Sequence, residues 1–314
     1  MRVVGVAEFG GPERLQVFEI PTPEPGPGQV CIRVHAAAVN PTDTMFRAGA
    51  QAPAIRRAGP PFIPGMDAAG VIDAVGPDND DRLSIGDRVV AMVLPTSSLG
   101  GAYAERIVVP AACAVHAPVG VDLAAASTLI MNAMTARLSL DALALDPGDT
   151  IAVTGAAGTY GAYVVELAIA DGLRVIADAA PKDEALVHSL GATEIVPRGD
   201  DVAAAIRAIA PDGVAGLADG SIQNALVVPA IADGGGMAVV RGWDGEPGRG
   251  ITVHRILVSR SAKETAMMQR LVQQVEDGIL ALRVAEVIPA QDAAEAHRRL
   301  EAGGIRGRLV LDFS

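Results

Sequence analysis

The sequence is poor in aromatic residues and in positive charge. Phe, Trp and Tyr together make up 3% of its 314 residues, and the formal net charge is −12. So few rings argue against a stacking platform for single-stranded nucleic acid. Phosphate neutralisation along any nucleic acid also needs clustered Lys and Arg. We therefore expect no nucleic-acid partner, whereas a dinucleotide remains compatible because it needs only local hydrogen-bond donors.

Cysteine and long apolar runs are also scarce. The two cysteines, Cys31 and Cys113, lie far apart, and neither belongs to a CxxC or Cys/His cluster. The sequence therefore predicts neither a disulfide framework nor a cysteine-based zinc site. No apolar run approaches the roughly 20 residues that span a bilayer, and the N-terminus lacks the apolar segment of a signal peptide. We expect a cytoplasmic protein with no membrane partner.

The residues up to about position 120 predict short strands separated by Gly and Pro clusters. In Gln29–Val39, the apolar residues Val30, Ile32 and Val34 alternate onto one face. Further strand-like runs are Val71–Val75, Arg88–Val93 and Tyr103–Val109. Short strands with turn signals between them are typical of a compact, barrel-like β domain.

Helices and strands alternate from about residue 121. Asp122–Leu145 predicts a helix, with Asp122 as its N-cap and Pro147 and Gly148 as its stop. The strand Thr150–Thr154 and the helix Tyr160–Ala170 then open a series of alternating strands and helices. Such alternation predicts a parallel, doubly wound α/β sheet. The tail changes pattern again, and we expect its strands Val284–Ile288 and Arg308–Asp312 to return to the first domain.

The strongest motif is a glycine-rich turn between an apolar strand and an apolar helix. Gly155 permits a tight turn, Gly158 lets backbone N–H groups approach a pyrophosphate, and Gly161 lets the helix pack close to the strand. The helix N-terminus adds oriented donors and a positive dipole end. The motif predicts a dinucleotide site that includes Gly155, Ala156, Gly158, Thr159, Tyr160 and Gly161.

Charged residues after the next two strands bear on the ribose of that dinucleotide. Asp178 lies near the end of the second strand, where a carboxylate binds the 2′-hydroxyl of NADH. Lys182 and Arg198 follow the second and third strands, where a cation binds the 2′-phosphate of NADPH. The carboxylate favours NADH and the two cations favour NADPH, so these residues alone do not decide between the two cofactors.

Eight ordered motifs resemble the zinc-independent, zeta-crystallin-like quinone oxidoreductases of the medium-chain dehydrogenase/reductase superfamily. They are Ala36–Asp43, Ile63–Gly70, Gly86–Val89, Gly101–Glu105, Asn132–Ala136, Gly155–Gly161, Leu190–Ala192 and Gly303–Leu311. The resemblance implies a GroES-like β-barrel-type catalytic domain made of residues 1–120 and 260–314. It implies a Rossmann dinucleotide-binding domain over residues 121–259.

Zinc-dependent relatives in the superfamily differ from this chain at the metal-binding positions. They have Cys where this chain has Asn40, and Gly-His-Glu where it has Gly65, Met66 and Asp67. They also carry a four-cysteine lobe that this sequence lacks. A catalytic zinc needs about three side-chain ligands, so we expect no metal.

The resemblance also implies roles for individual residues. Asn40 and Thr135 would position the nicotinamide or the acceptor, and Gly242 would lie in a loop that faces the ring. Met45 stands where many relatives have Tyr, and Tyr160 stands where they have Val or another small residue. The resemblance favours NADPH, although Asp183 occupies the position of the Lys found in many NADPH-dependent relatives.

We therefore expect hydride transfer from NADPH, with NADH possible, to a quinone or an α,β-unsaturated carbonyl. The alternatives are an enoyl reductase of polyketide or secondary-metabolite tailoring, and a non-enzymatic nucleotide-binding sensor or structural protein on the same fold. Relatives often form homodimers, for which Met237–Val240 and Thr252–Val253 are the candidate edge strands. No nucleophile set is evident, and we interpret each histidine as structural or surface: His35, His116, His188, His254 and His297.

Overall fold

The computed structural model describes residues 1–79 and 81–314. In chain order the strands are β1 (Arg2–Val6), β2 (Leu15–Glu19), β3 (Gln29–Ala38), β4 (Asp67–Val75), β5 (Arg88–Met92), β6 (Arg106–Pro110), β7 (Ala114–His116), β8 (Thr150–Thr154), β9 (Arg174–Ala179), β10 (Glu194–Pro197), β11 (Val214–Asp219), β12 (Ile231–Val239), β13 (Thr252–Arg255), β14 (Val284–Pro289) and β15 (Arg308–Asp312). The helices are α1 (Pro41–Arg47), α2 (Leu123–Ala126), α3 (Ile130–Leu143), α4 (Thr159–Ala170), α5 (Glu184–Ser189), α6 (Val202–Ile209), α7 (Thr265–Glu276) and α8 (Ala293–Ala302). Within the described ranges, no helix has the length and apolarity needed to cross a bilayer.

The chain divides into two compact units. The first contains Met1–Met131, Ser259–Glu276 and Leu282–Ser314, and the second contains Asn132–Val258 and Asp277–Ala281. The first unit therefore extends past the expected boundary at residue 120, and a short segment of the tail lies with the second unit.

The first unit is built on a mostly antiparallel sheet with β3 at its centre. The strand order is β14-β15-β3-β4-β5-β7, and β6 also pairs with β3. Val30, Ile32 and Val34 are buried, as their alternation predicts. Strand β15 pairs antiparallel with β3, so the tail completes this sheet. The two-stranded sheet of β1 and β2 was not predicted from the sequence.

The second unit is built on a sheet whose strands all run parallel. The strand order is β10-β9-β8-β11-β12-β13. Its central strands are continuous apolar runs, and Ile151, Ala152 and Val153 of β8 are at most 1% exposed, as expected of strands covered on both faces. This is the doubly wound order, which confirms the predicted α/β Rossmann fold. The connections reverse direction between β8 and β11, which makes this the topological switch point.

The predicted helix over Asp122–Leu145 is wrong in one respect, because it is interrupted. Asp122 is the N-cap, and its carboxylate accepts from Ala125 N at 2.8 Å. The helix then breaks after Ala126, where the hydroxyls of Ser127 and Thr128 donate to carbonyl oxygens of α2 at 2.7 and 2.8 Å. Short polar side chains of this kind compete with the helical ladder.

The turn from β8 into α4 requires glycine at two positions. Gly155 has φ +69°, a left-handed conformation that glycine adopts without strain. A Cβ on Gly161 would lie 2.3 Å from the carbonyl oxygen of Gly155, so only glycine lets the first turn of α4 approach this closely. Gly158 is different, because a Cβ there would meet only the Gly155 oxygen, at 3.1 Å.

We predict that Gly161→Ala and Gly158→Ala differ sharply in stability. The Gly161→Ala methyl overlaps backbone atoms that cannot move aside, so it should cost about 1–3 kcal/mol or more. Gly158→Ala should cost less, about 0.5–1 kcal/mol, because alanine is a poorer N-cap residue than glycine. Thermal and urea unfolding of the two purified variants measures both effects. Equal destabilisation would contradict the close contact between α4 and the turn.

Candidate functional site

The carboxyl ends of β8 and β11 carry the glycine turn and a second, unpredicted loop. Gly220 N donates to Thr154 O at 3.0 Å, which joins the two strand ends. In open α/β sheets, ligands bind in the crevice beyond the carboxyl ends of the strands at the switch point. The second unit therefore offers a candidate site at the position that the fold itself favours.

The first turn of α4, at this end of the sheet, carries a buried hydroxyl. Thr159 is the first residue of α4 and is 5% exposed. Its Oγ1 atom is buried and has no hydrogen-bond partner among the described residues. Backbone N–H groups in the first turn of a helix also have no partner inside the helix. A hydroxyl and oriented N–H groups together suit a phosphate oxygen.

Asp178 reaches the glycine turn from the adjacent strand β9. Its Oδ1 accepts from Ala156 N at 3.0 Å, and its Oδ2 is buried without a partner in the described part of the chain. Burial raises the pKa of this carboxyl, while the Ala156 N–H and the Arg198 charge act in the opposite direction. The carboxyl is 2% exposed, so it faces the turn and not the protein surface.

Lys182 and Arg198, the cationic residues predicted to bind a 2′-phosphate, lie close to the same strand ends. Arg198 follows β10, and its backbone N donates to Ala179 O, the last residue of β9, at 2.9 Å. Lys182 follows β9 in a short 3-10 turn. Both side chains are exposed. The structure thus brings Arg198 and Lys182 near the end of β9 while Asp178 is turned inward.

Tyr160 is turned into the protein and does not cross the glycine turn. Its hydroxyl lies 2.8 Å from Ser139 Oγ on α3. A Cβ on Gly220 would lie 2.9 Å from the Tyr160 ring, so the absent side chain at Gly220 makes room for it. Burial raises the pKa of the phenol, which keeps it protonated. The ring therefore forms part of the wall at the ends of β8 and β11.

Thr135 and Gly242 lie in the same unit. Ser139 Oγ donates to Thr135 O at 2.8 Å, so Tyr160, Ser139 and Thr135 form one connected group on α3 and α4. Thr135 is 7% exposed. Gly242 follows β12 in an exposed loop, where a Cβ would meet no atom within 4 Å.

The loop after β11 was missed by sequence reasoning. The Asp219 carboxylate accepts from Thr154 Oγ1 at 2.7 Å and from the backbone N–H groups of Gln223 and Asn224 at 3.2 and 2.7 Å. It thereby folds the loop back onto the end of β8. The sequence signal was present as an Asp-Gly-Ser run directly after a strand, which is typical of a turn.

The first unit holds a separate buried polar cluster around Asn40. Asn40 caps α1, and its backbone N donates to Asp43 Oδ2 at 2.8 Å. Its side-chain Nδ2 donates to Asp67 Oδ2, also at 2.8 Å. Gly65 N donates to the other oxygen of Asp43 at 3.2 Å, and Met131 N to the other oxygen of Asp67 at 2.8 Å.

The two carboxyls of this cluster titrate unusually. Burial raises the pKa of Asp43 to about 7, although N–H donors from Asn40 and Gly65 oppose the shift. Burial raises the pKa of Asp67 to about 6, opposed by the donors on Met131 and Asn40. The charge of Arg308 lowers both values. Each carboxyl is therefore more easily protonated near neutral pH than an exposed one.

His297 belongs to the same buried cluster. It is fully buried, and its Nε2 lies 3.1 Å from the Tyr103 hydroxyl, which in turn lies 3.4 Å from Asp43 Oδ2. Burial lowers the pKa of the imidazole to about 3, so the ring is neutral. The structural interpretation of this histidine agrees with these contacts, but the sequence did not indicate its partners.

The described residues offer no group of three or more His, Cys, Asp or Glu side chains that could hold a metal ion. Asn40 and Met66 occupy the positions at which zinc-dependent relatives carry ligands, and the amide of Asn40 is bonded to Asp67. The expectation of zinc-independent chemistry remains a prediction.

Two parts of the chain match known protein families. Residues 26–119 match the family described as alcohol dehydrogenase GroES-like domain. Residues 190–311 match the family described as zinc-binding dehydrogenase.

The sequence relatives include quinone oxidoreductases. The human quinone oxidoreductase is 35% identical over 198 residues, which cover 62% of this chain and 58% of the human protein. The chain thus spans less than two thirds of the length of this curated relative in that alignment. The pig quinone oxidoreductase is 27% identical over 333 residues, with 99% of this chain and 97% of that protein covered.

Solved structures agree over the full length. A quinone oxidoreductase from Pseudomonas syringae superposes with a TM-score of 0.88 at 26% identity, covering 99% of both chains. A mycobacterial protein solved as a complex with NADPH gives a TM-score of 0.86 at 28% identity, again over 99% of both chains. The chain therefore carries an alcohol dehydrogenase GroES-like domain and a zinc-binding dehydrogenase domain, and over 99% of its length it is similar to quinone oxidoreductases of the medium-chain dehydrogenase/reductase superfamily.

Proposed function

We propose that this protein transfers hydride from NADPH to a quinone or an α,β-unsaturated carbonyl without zinc. The observation that carries the proposal is the turn between β8 and α4. There, Thr159 Oγ1 and Asp178 Oδ2 are both buried and without a hydrogen-bond partner among the described residues. Buried polar atoms of this kind normally have partners, and here a dinucleotide would supply them.

The residues of the turn fit the parts of a dinucleotide. The first turn of α4, with Thr159, would hold the diphosphate, because N–H groups and the helix dipole favour negative charge there. Gly158 has no side chain, and a Cβ there would meet only the Gly155 oxygen, so the diphosphate could approach the backbone at this position. Asp178 would accept with its second oxygen from the 3′-hydroxyl of the adenosine ribose, which NADPH retains beside its 2′-phosphate.

The reduced nicotinamide, when bound, supplies the hydride. The contribution of this chain is to position the reactants and to keep water away from them. Asn40 and Thr135 would orient the nicotinamide or the acceptor through their polar side chains, as the family resemblance implies. The buried ring of Tyr160, held by Ser139, would form a firm wall at the ends of β8 and β11.

Turnover with a panel of acceptors tests the proposal. The purified protein should oxidise NADPH in the presence of quinones or 2-alkenals, and the ratio between the two classes assigns the acceptor. Gly158→Ala is the matched variant, because its methyl intrudes on the diphosphate side of a folded turn, so its NADPH affinity should fall. Retained NADPH binding with no acceptor reduced above background would overturn the enzymatic proposal and favour a nucleotide sensor.

The choice of NADPH over NADH rests on Arg198 and Lys182. Their exposed cations lie near the end of β9, whereas the Asp178 charge is turned away from the surface. Arg198→Ala and Lys182→Ala should each raise the KM for NADPH about tenfold, which corresponds to about 1.4 kcal/mol, and leave the KM for NADH unchanged. Arg174→Ala is the control, since Arg174 is an exposed cation at the opposite end of β9. Parallel loss with both cofactors would refute this assignment.

We also propose that the protein forms a homodimer through β13. This strand pairs with β12 and ends the parallel sheet of the described second unit, so its outer edge has backbone groups available for pairing. An unprotected edge strand invites association with another strand. Sedimentation velocity at micromolar concentration should give a species of about twice the chain mass, and a monomer would exclude this arrangement.

A further inference from the structure

The first unit contains a cavity whose lining residues have no part in the proposed function. Its volume is about 330 Å³, and it lies between the loop after β5, strand β6 and the segment that leads into α7. All of the residues that line it belong to the first unit. Sites for small molecules range from roughly 300 to 1,000 Å³. The cavity is therefore large enough for one small ligand.

Most of the cavity wall is apolar. Met92 and Val93 at the end of β5 and Val108 and Val109 of β6 line it, and all four are buried. Leu99 in the loop after β5 lines it as well and is 40% exposed. The apolar part of a ligand would cover Leu99 and remove apolar surface from water. Methionine thioethers also contact aromatic rings favourably, so this wall suits an aromatic ligand.

The charged residues in the lining are both cations. Arg260 and Lys263 border the cavity, and no Asp or Glu of the described ranges does so. Both side chains are exposed, and neither forms an ion pair or a side-chain hydrogen bond with another described residue. The chain has a net charge of −12, yet none of its described carboxylates pairs with these two cations. They therefore favour an anionic ligand.

The segment that carries the two cations is held in place at its backbone. Thr265 Oγ1 donates to Ala112 O at 2.9 Å, which joins the start of α7 to the 3-10 turn after β6. Glu264 N donates to Ser261 O at 3.0 Å. Ala262, between the two cations, is 3% exposed. The backbone beside the cavity is thereby fixed, and only the cationic side chains need to move to meet a ligand.

The ammonium group of Lys263 lies close to the thiol of Cys113, which also lines the cavity. Burial raises the pKa of this thiol, and the charge of Lys263 acts in the opposite direction. A charge has this effect only at short range. Lys263 is therefore directed towards the cavity although its side chain is exposed, and Cys113 can report on a ligand bound there.

We propose that this cavity binds a small carboxylate with an apolar body, such as an aromatic acid. The carboxylate would lie between Arg260 and Lys263, because charge-assisted hydrogen bonds to a carboxylate are the strong ones. The apolar body would lie against β6 and Leu99. An inorganic anion would leave this wall uncovered, and a neutral aromatic molecule would leave both cations without a partner.

Reaction of Cys113 with two aryl disulfides tests the role of the cations. Dithiobis(nitrobenzoate) carries carboxylates, whereas dithiodipyridine is neutral. With either reagent the Cys113 thiolate attacks one sulfur, the S–S bond breaks, a mixed disulfide forms and one aryl thiolate leaves. The thiolate fraction of Cys113 affects both rate constants equally. The ratio of the anionic to the neutral rate constant therefore measures recruitment of the carboxylate, independently of the pKa of the thiol.

The ratio should fall about tenfold in the double variant Arg260→Ala with Lys263→Ala, since each exposed ion pair contributes modestly. Arg270→Ala is the matched control, because Arg270 is an exposed cation of α7 outside the cavity lining, so its ratio should equal that of the wild type. Cys113→Ser should abolish the reaction, since Cys31 does not line the cavity. An equal ratio in the wild type and the double variant would overturn the proposal, as would a Cys113 that reacts with neither reagent.

A non-covalent probe tests the apolar wall. Naphthoate should slow the alkylation of Cys113 by iodoacetamide, measured by peptide mass spectrometry, and this protection should be lost in the double variant. Naphthamide keeps the rings without the charge, and acetate keeps the charge without the rings, so each should protect much less at equal concentration. Equal protection by acetate would reduce the site to a patch of positive charge, and equal protection by naphthamide would exclude a role for the cations. Neither measurement uses NADPH or an acceptor, so the result does not depend on the proposed function.

Discussion

The contact between the first turn of α4 and the glycine turn is the constraint on which the rest of the second unit depends. With 2.3 Å between the Gly155 oxygen and the Cβ that Gly161 lacks, no other residue allows α4 to pack this closely on β8. That packing brings Thr159 to the crevice and turns Tyr160 towards Ser139. It also exposes the Ala156 N–H to Asp178 on the next strand. One close backbone approach thus arranges several side chains of the candidate site.

The first unit buries two carboxyls, Asp43 and Asp67, beside the amide of Asn40. Burying charge is costly unless every polar atom is hydrogen-bonded, and removing one partner from a buried charge typically costs about 3–5 kcal/mol. Each oxygen of Asp43 and Asp67 has a donor, and most of these donors are backbone N–H groups. Backbone donors belong to the fold itself, so the cluster is as rigid as the elements that carry it. This rigidity gives Asn40 a defined orientation at the start of α1.

Much of the architecture could be predicted because it depends on local patterns. Continuous apolar strands alternating with helices indicated the parallel sheet, and Gly155 and Gly161 lie where their spacing required them. Asp122 is the predicted cap, but the helix after it breaks because Ser127 and Thr128 bond to carbonyls of the preceding turn. Helix propensity does not predict that these side-chain hydroxyls will compete for the backbone carbonyls. The β1 and β2 pair was missed for a related reason, since its short strands carry little periodicity of their own.

The candidate site was predictable in its residues and not in their contacts. The sequence by itself determined a doubly wound sheet, a glycine turn able to meet a phosphate and an amide at position 40, because each depends on residues close together in the chain. Only the tertiary structure decided that Asp178 turns inward to Ala156, that Tyr160 meets Ser139, and that Asn40 is bonded to Asp67. His297 and Tyr103 are separated by 194 positions, yet they are in contact. Such pairings follow from strand order and side-chain direction, which no local pattern encodes.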